Sequence, residues 1–191
     1  MTQAAGAHPM RLERAGTTLL VADVQERLFS TMDPDHREEV VRNLKILATA
    51  ARRLGLPTLA TEQCPEALGH TLRELRDALG QVETVAKVTF SCGGVEAVQA
   101  GLRRSGARAV VLTGIEAHAG VLMSALDLMA QGYAVHVAAD AVTSRTQGNW
   151  RLAMAQLRQA GAVVTATETI LVQLLGKAEG DEYRELAKLI R

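Results

Sequence analysis

Aromatic residues are scarce in this chain: two Phe, two Tyr and one Trp make up 3% of its 191 residues. A protein that stacks single-stranded nucleic acid on aromatic platforms is therefore not expected. Charge of one sign is missing as well, because 21 Lys and Arg balance 21 Asp and Glu to a formal net charge of +0. Polyanion binding ordinarily needs a basic excess, so a nucleic-acid partner is excluded as the main one. There are two cysteines, Cys64 and Cys92. That is too few for a disulfide framework and points to a reducing compartment. No apolar run is long enough to span a bilayer, and the opening MTQAAGAHPMRLERAG lacks the apolar core of a signal peptide. The expectation is a cytoplasmic protein with no membrane partner. The phosphate-cradling GxGxxG and P-loop patterns and the GxSxG nucleophile elbow are also missing.

What is present is a repeated alternation. Helix-like segments end in a glycine and an apolar, β-branched strand follows within a few residues. Gly55 precedes Pro57–Thr61, Gly106 precedes Ala109–Thr113, Gly132 precedes Ala134–Ala138, and Gly161 precedes Ala162–Thr165. A residue just past a helix often adopts the left-handed conformation, which glycine takes without steric cost. Strands apolar on both faces belong to parallel sheets covered by helices. In 38–54, Val40, Leu44, Leu47 and Ala51 recur at helical spacing while Arg42, Lys45 and Arg52 fall elsewhere. The segment 121–130 is apolar on nearly every side and is expected to be a central helix. With strands at 18–22 and 82–86 added, the reading is a three-layer, doubly wound, Rossmann-like α/β fold. It has a mostly parallel sheet of about six strands with helices on both faces. The expected organisation is a loose arm at 1–16 and one domain at 17–191. A last helix at 181–191 carries Tyr183, Leu186, Ala187 and Ile190 on one side, for docking on the body or for a subunit contact.

Ligands of open parallel sheets bind beyond the carboxyl ends of the strands. The polar residues directly after the apolar runs are Asp23, Glu62, Lys87, Glu116 with His118, Asp140, and Thr165 with Glu168. Asp140 and Glu168 also suit helix caps. Lys87, flanked by apolar residues, needs a counter-charge, and Asp23 is its natural partner. The stretch from Thr113 to Val121 reads as strand, tight turn and helix, a geometry that offers backbone N–H groups to a ligand. Glu62, Cys64 and His70 do not have a strong metal-ligand spacing, so no metal and no cofactor are expected. His136, alternating with valines inside a strand, reads as a packed residue.

Three stretches carry a resemblance: LLVADVQERLF with Asp23, AKVTFS with Lys87, and LTGIEAHAGVLMSALDLMAQGYAVHVAADAVTSR. From about Thr17 to its end the chain resembles the isochorismatase-like hydrolases. TEQCPEALGHT, TSRTQ and YRELAKLI are similar to the group called isochorismatase domain-containing proteins. Some of that group are labelled ribonuclease-like, a label this composition does not support. The resemblance implies a parallel sheet of about six strands and, in most members, an Asp, Lys and Cys triad whose thiolate attacks an amide or related carbon. Asp23 and Lys87 match the first two members of that triad, and the cysteine position falls on Gly120. The resemblance also implies a cis bond between Ile115 and Glu116 that aims the Glu116 and Gly120 N–H groups. The residues so implicated are Asp23, Lys87 and Gly120 for catalysis, and Glu116, Ala119, His118, Gln25, Phe29 and Glu62 for binding. The expected ligand is a small soluble metabolite, and the expected assembly a homo-oligomer.

Glycine at position 120 leaves three routes open. One is a cysteine-independent hydrolase in which Asp23 is a general acid and Lys87 a substrate-orienting cation. For that role burial must raise the Asp23 carboxyl more than Lys87 lowers it. The second is a binding or oligomeric module without turnover. The third is a hydrolase whose thiol is Cys64 or Cys92, with Cys64 favoured for its place just after the second strand.

Overall fold

The computed structural model describes residue 8 and residues 10–190. The chain runs β1 (Thr17–Ala22), α1 (Glu26–Phe29), α2 (Arg37–Leu54), β2 (Thr58–Gln63), α3 (Pro65–Leu68), α4 (Arg73–Leu79), β3 (Thr84–Lys87) and α5 (Glu96–Arg104). It continues with β4 (Ala109–Ile115), a π-helical turn (Ala117–Val121), α6 (Leu122–Ala130), β5 (Ala134–Thr143), α7 (Gln147–Ala160), β6 (Val163–Thr165), α8 (Thr167–Leu175) and α9 (Gly180–Leu186). The six strands form one parallel sheet in the order β3-β2-β1-β4-β5-β6.

Successive strand side chains point to opposite faces, and the apolar strands feed two separate cores. Leu19, Val21 and Val111 pack with Val40, Leu44 and Leu47 of α2 and with Ile170 and Leu171 of α8. Leu20, Ala22, Val110 and Leu112 pack on the other face with Val98 and Leu102 of α5, Leu128 of α6 and Leu157 of α7. All six residues of β1 are buried, as suits a central strand covered on both sides. The chain winds outward from β1 through β2 to β3, then crosses back to β4 and winds the other way. The crevice at the carboxyl ends of β1 and β4 is the switch point where doubly wound sheets bind ligands.

Three expectations are corrected. Helix α6 is not enclosed all round, since Met123 is 45% and Leu126 36% exposed. Strand β5 runs on to Thr143, with a register shift against β4 between Leu112 and Gly114. Of the loose arm expected at 1–16, residues 1–7 and 9 lie outside the described residues, and the stretch next to β1 is docked. Leu12 is buried there and donates its N–H to Gln173 at 2.7 Å, while Arg14 Nε donates to the Leu54 carbonyl at 2.6 Å. At the other end Leu186 and Ala187 are buried and Ile190 packs on the α2 side of the core, which is the docking arrangement. Among the described residues no helix is long and apolar enough to cross a membrane.

Candidate active site

Asp23 follows the last residue of β1 with a positive φ of 56°, and Lys87 closes β3. The lysine reaches across the end of the intervening β2 to place Nζ 2.6 Å from Asp23 Oδ2, and both side chains are 1% exposed. Lys87 Nζ also donates to the carbonyls of Thr89 at 2.9 Å and Phe90 at 3.2 Å. An ammonium has three N–H donors, so all of them are taken. Lys87 therefore has no N–H left to donate beyond its hold on Asp23 and these two carbonyls. Burial raises the Asp23 carboxyl above the ordinary aspartate range. The opposing charge and hydrogen bond of Lys87 and the hydroxyl of Thr61 only partly offset that effect.

Across the crevice, β4 ends at Ile115 and the Ile115–Glu116 bond is cis, at the expected position. The expected tight turn is one π-helical turn, with Val121 N–H bonded to the Glu116 carbonyl at 3.1 Å. Such turns inside helices are frequent at functional sites. Gly120 faces the acid–base pair. A Cβ built on it would stand 3.5 Å from Asp23 Oδ2, 3.4 Å from the Ile115 carbonyl and 3.3 Å from that of Phe90. Position 120 thus adjoins the Asp23 oxygen that Lys87 holds, and a Cβ there would press on the Phe90 carbonyl by a few tenths of an ångström. Glu116 is 8% exposed on its side chain and accepts from Arg145 Nε at 3.0 Å and from the Arg145 N–H at 3.2 Å. His118 Nδ1 lies 3.0 Å from the Ser144 hydroxyl, so the turn is braced by the loop after β5. Ala119 is half-buried in the same turn.

Other expected residues are occupied elsewhere. The Gln25 amide is saturated by backbone: Nε2 donates to the Gln63 and Gly69 carbonyls, and Oε1 accepts from the Gln63 N–H. It ties the start of α1 to the end of β2. Glu62 accepts from the Thr71 N–H at 2.6 Å and hydroxyl at 2.8 Å, and lies 3.0 Å from His70 Nδ1. Burial raises the Glu62 carboxyl, but these partners outweigh burial and hold it below the usual range. Phe29 lines a groove of about 600 Å³ with Val41, Ile46 and Leu189 over α2, and neither Asp23, Lys87 nor Gly120 borders that groove. Asp140 Oδ1 accepts from the N–H and hydroxyl of Thr167 and so caps α8 from the neighbouring strand. Cys64 has a left-handed φ of 41° and donates its backbone N–H to the Lys87 carbonyl. Among the described residues no group of three His, Cys, Asp or Glu side chains is arranged to hold a metal ion.

Two residues at the centre of the site, Thr61 and Ser124, lie within the resembling stretches but have no role assigned to them there, and Cys92 joins them. Thr61 Oγ1 donates to Asp23 Oδ1 at 2.7 Å, and the Cys92 sulfur lies 3.4 Å from the same hydroxyl. Ser124 accepts from the Cys92 N–H at 2.8 Å and donates to the Gly120 carbonyl at 2.6 Å. Cys92, ranked behind Cys64 on sequence, is the thiol tied into the Asp23 cluster. It is fully buried, and burial together with the Asp23 charge pushes its thiol up, so it stays protonated and is a poor nucleophile.

Known proteins share this arrangement of elements. The isochorismatase domain matches residues 17–169. Isochorismatase domain-containing protein 2 of Danio rerio is 39% identical over 181 residues, covering 94% of this chain and 89% of the relative. The MAR1 ribonuclease of Caenorhabditis elegans superposes with a TM-score of 0.88 at 35% identity, covering 94% of this chain and 92% of that one. The YcaC gene product of Escherichia coli, an octameric hydrolase of unknown specificity, shares the fold with a TM-score of 0.86 at 22% identity, over 94% and 89% of the two chains. A domain match running from β1 into α8, with a 39% identical relative spanning nearly both full lengths, makes this chain a member of the isochorismatase family.

Proposed function

We propose that the chain is a hydrolase of a small, polar, soluble metabolite in which the family's usual cysteine is replaced by Gly120 and the chemistry rests on Asp23 and Lys87. Asp23 is the general acid. It donates its proton from Oδ2 to the leaving atom of the substrate, water adds to the electron-poor carbon, and the proton that water releases returns to Asp23. Lys87 holds the carboxyl in place, and the Glu116 and Gly120 N–H groups of the 116–120 turn orient a substrate oxygen beside it. The observation that carries this reading is the sealed Asp23–Lys87 pair facing Gly120, with burial outweighing the lysine in its effect on the aspartate. Balanced charge and few aromatics favour a metabolite over nucleic acid as the substrate.

A second reading, a ligand-binding module without turnover, draws support from the saturation of all three Lys87 donors, since a purely structural ion pair would look the same. The experiment that decides is depletion of a cytosolic metabolite extract followed by mass spectrometry, with Asp23→Asn as control. A compound consumed by wild type and spared by the variant supports the acid role. No depletion, with thermal stabilisation by some component of the extract, supports the binding module.

Homo-oligomerisation belongs to the same proposal. Val88 is 79% and Phe90 57% exposed in the loop after β3, and Met123 projects from the helix that follows Gly120. Exposed apolar groups beside a site suit a subunit contact, and a relative of the same fold is octameric. Light scattering on purified protein should give a mass above the 20.4 kDa of one chain; a monomer would remove this part of the proposal.

A further inference from the structure

The two oxygens of Asp23 have different partners. Oδ2 takes Lys87 Nζ at 2.6 Å and is the oxygen beside position 120. Oδ1 takes the hydroxyl of Thr61 at 2.7 Å. A hydroxyl has one hydrogen to give and lone pairs to receive, whereas a carboxylate can only accept. The Thr61 hydrogen therefore points at Asp23, and the hydroxyl is left to accept the S–H of Cys92 at 3.4 Å. Cys92 can supply that hydrogen because it is fully buried and remains a thiol. Thr61 is 1% exposed, so water does not compete for either contact.

We infer that Thr61 is a positioning residue: backed by the Cys92 thiol, it occupies Oδ1 of Asp23 and leaves Oδ2, beside Gly120, as the oxygen that exchanges a proton with substrate. This rests on the general-acid reading of Asp23, but the geometry makes a prediction that needs no substrate. A hydrogen bond to the charged form of a carboxylate favours that form, so Thr61 counteracts burial. The other charged and titratable groups around the carboxylate are few. From β2, Glu62 adds a weak repulsion; from β3, Lys87 attracts; and from the following loop Cys92 is neutral. Glu116, just before the π turn, and His118 within it are engaged by Arg145 and Ser144, and Arg27 of α1 donates to the Ala67 carbonyl.

The test is a carboxyl carbon-13 NMR titration of protein labelled at aspartate, with the Asp23 signal assigned through Asp23→Asn. Thr61→Val, which keeps shape and removes the hydroxyl, should raise the Asp23 midpoint by about one pH unit, the size of one charge-assisted hydrogen bond. Thr61→Ser should restore it. Cys92→Ala should move it in the same direction by less. A Thr61→Val midpoint within about 0.2 units of wild type, with the amide spectrum otherwise unchanged, overturns the inference. If Thr61→Val does not fold, Cys92→Ala decides alone, and an unmoved midpoint again overturns it. The titration and the metabolite screen fail separately. A shifted midpoint with no turnover leaves Thr61 a positioning residue of a non-catalytic site, and turnover with no shift removes Thr61 only.

Discussion

At the scale of single residues the site is defined by what surrounds position 120. The glycine is helical, and the three atoms nearest to where a Cβ would sit lie at 3.3–3.5 Å, which is snug but not prohibitive. The space around it therefore takes a Cβ beside Asp23 with slight movement of the Phe90 and Ile115 carbonyls. Gly120→Cys should fold and yield a thiol whose proton Asp23 Oδ2 can accept. Alkylation by iodoacetamide, followed by peptide mass spectrometry, should label the introduced thiol faster than Cys64 or Cys92. Thiolate content governs that rate, and Cys92 is fully buried with its thiol pushed up. An introduced thiol no faster than the native ones would mean that the Asp23–Lys87 pair does not support cysteine chemistry. The pair itself was legible from sequence because a lysine among apolar residues must find a counter-charge. The roles of Thr61, Cys92 and Ser124 were not: Thr61 and Ser124 lie within resembling stretches, but nothing in those stretches says what their hydroxyls touch. Only the pairing of the end of β1 with β2, where the Asp23 N–H meets the Thr61 carbonyl at 3.0 Å, brings that hydroxyl to the aspartate.

At the scale of elements, the site depends on how closely β4 approaches β1. Gly114 has a φ of +114°, and a Cβ there would stand 2.0 Å from the Ala22 carbonyl oxygen and 2.7 Å from the Ala22 nitrogen. Both are backbone atoms of a fully buried central strand, so neither can yield by rotating a side chain. Gly114→Ala should separate the two strands next to Asp23 and destabilise the fold by about 4 kcal/mol or more, the range reserved for severe steric or backbone strain. Chemical denaturation would measure it. A loss under about 1 kcal/mol would show that the β1–β4 contact adapts easily and that the crevice is not rigid. The alternation of glycine and apolar strand disclosed the succession of these elements along the chain and their parallel character, but not the order of the strands across the sheet. It did not disclose the extension of β5 to Thr143, because Asp140 reads as a strand-ending polar residue. Asp140 stays within the strand because its carboxylate is used sideways, on the N-terminus of α8. The apolar run of 121–130 likewise suggested an enclosed helix, but burial depends on what covers a face and not on the face alone. Met123 and Leu126 are left exposed by the single chain.

At the scale of the whole molecule, one buried residue links folding to pH. His136 sits in β5 at the register of Val111, on the sheet face covered by α2 and α8, and is fully buried. Neither ring nitrogen has a hydrogen-bond partner among the described residues. Such an imidazole is tolerated only while neutral, and burial lowers its pKa to about 4 from 6.5. Below pH 6.5 the unfolded chain takes up a proton at this position and the folded chain does not, so stability falls with pH until the folded pKa is reached. Above pH 6.5 neither state is protonated and the effect vanishes. Between pH 6.5 and about 4 the loss amounts to on the order of 3 kcal/mol at 1.36 kcal/mol per unit. His136→Leu removes the titrating group and the two unpartnered nitrogens together, leaving an apolar side chain among the leucines and valines of that face. The variant should match or exceed wild-type stability at pH 7, and its advantage should grow steadily as the pH is lowered to 4. Urea midpoints for both proteins across that range isolate the effect, because the remaining carboxylates titrate alike in the two. A constant difference between the two curves would mean that the folded protein protonates His136 without penalty, and that the imidazole has access to a polar partner inside the core.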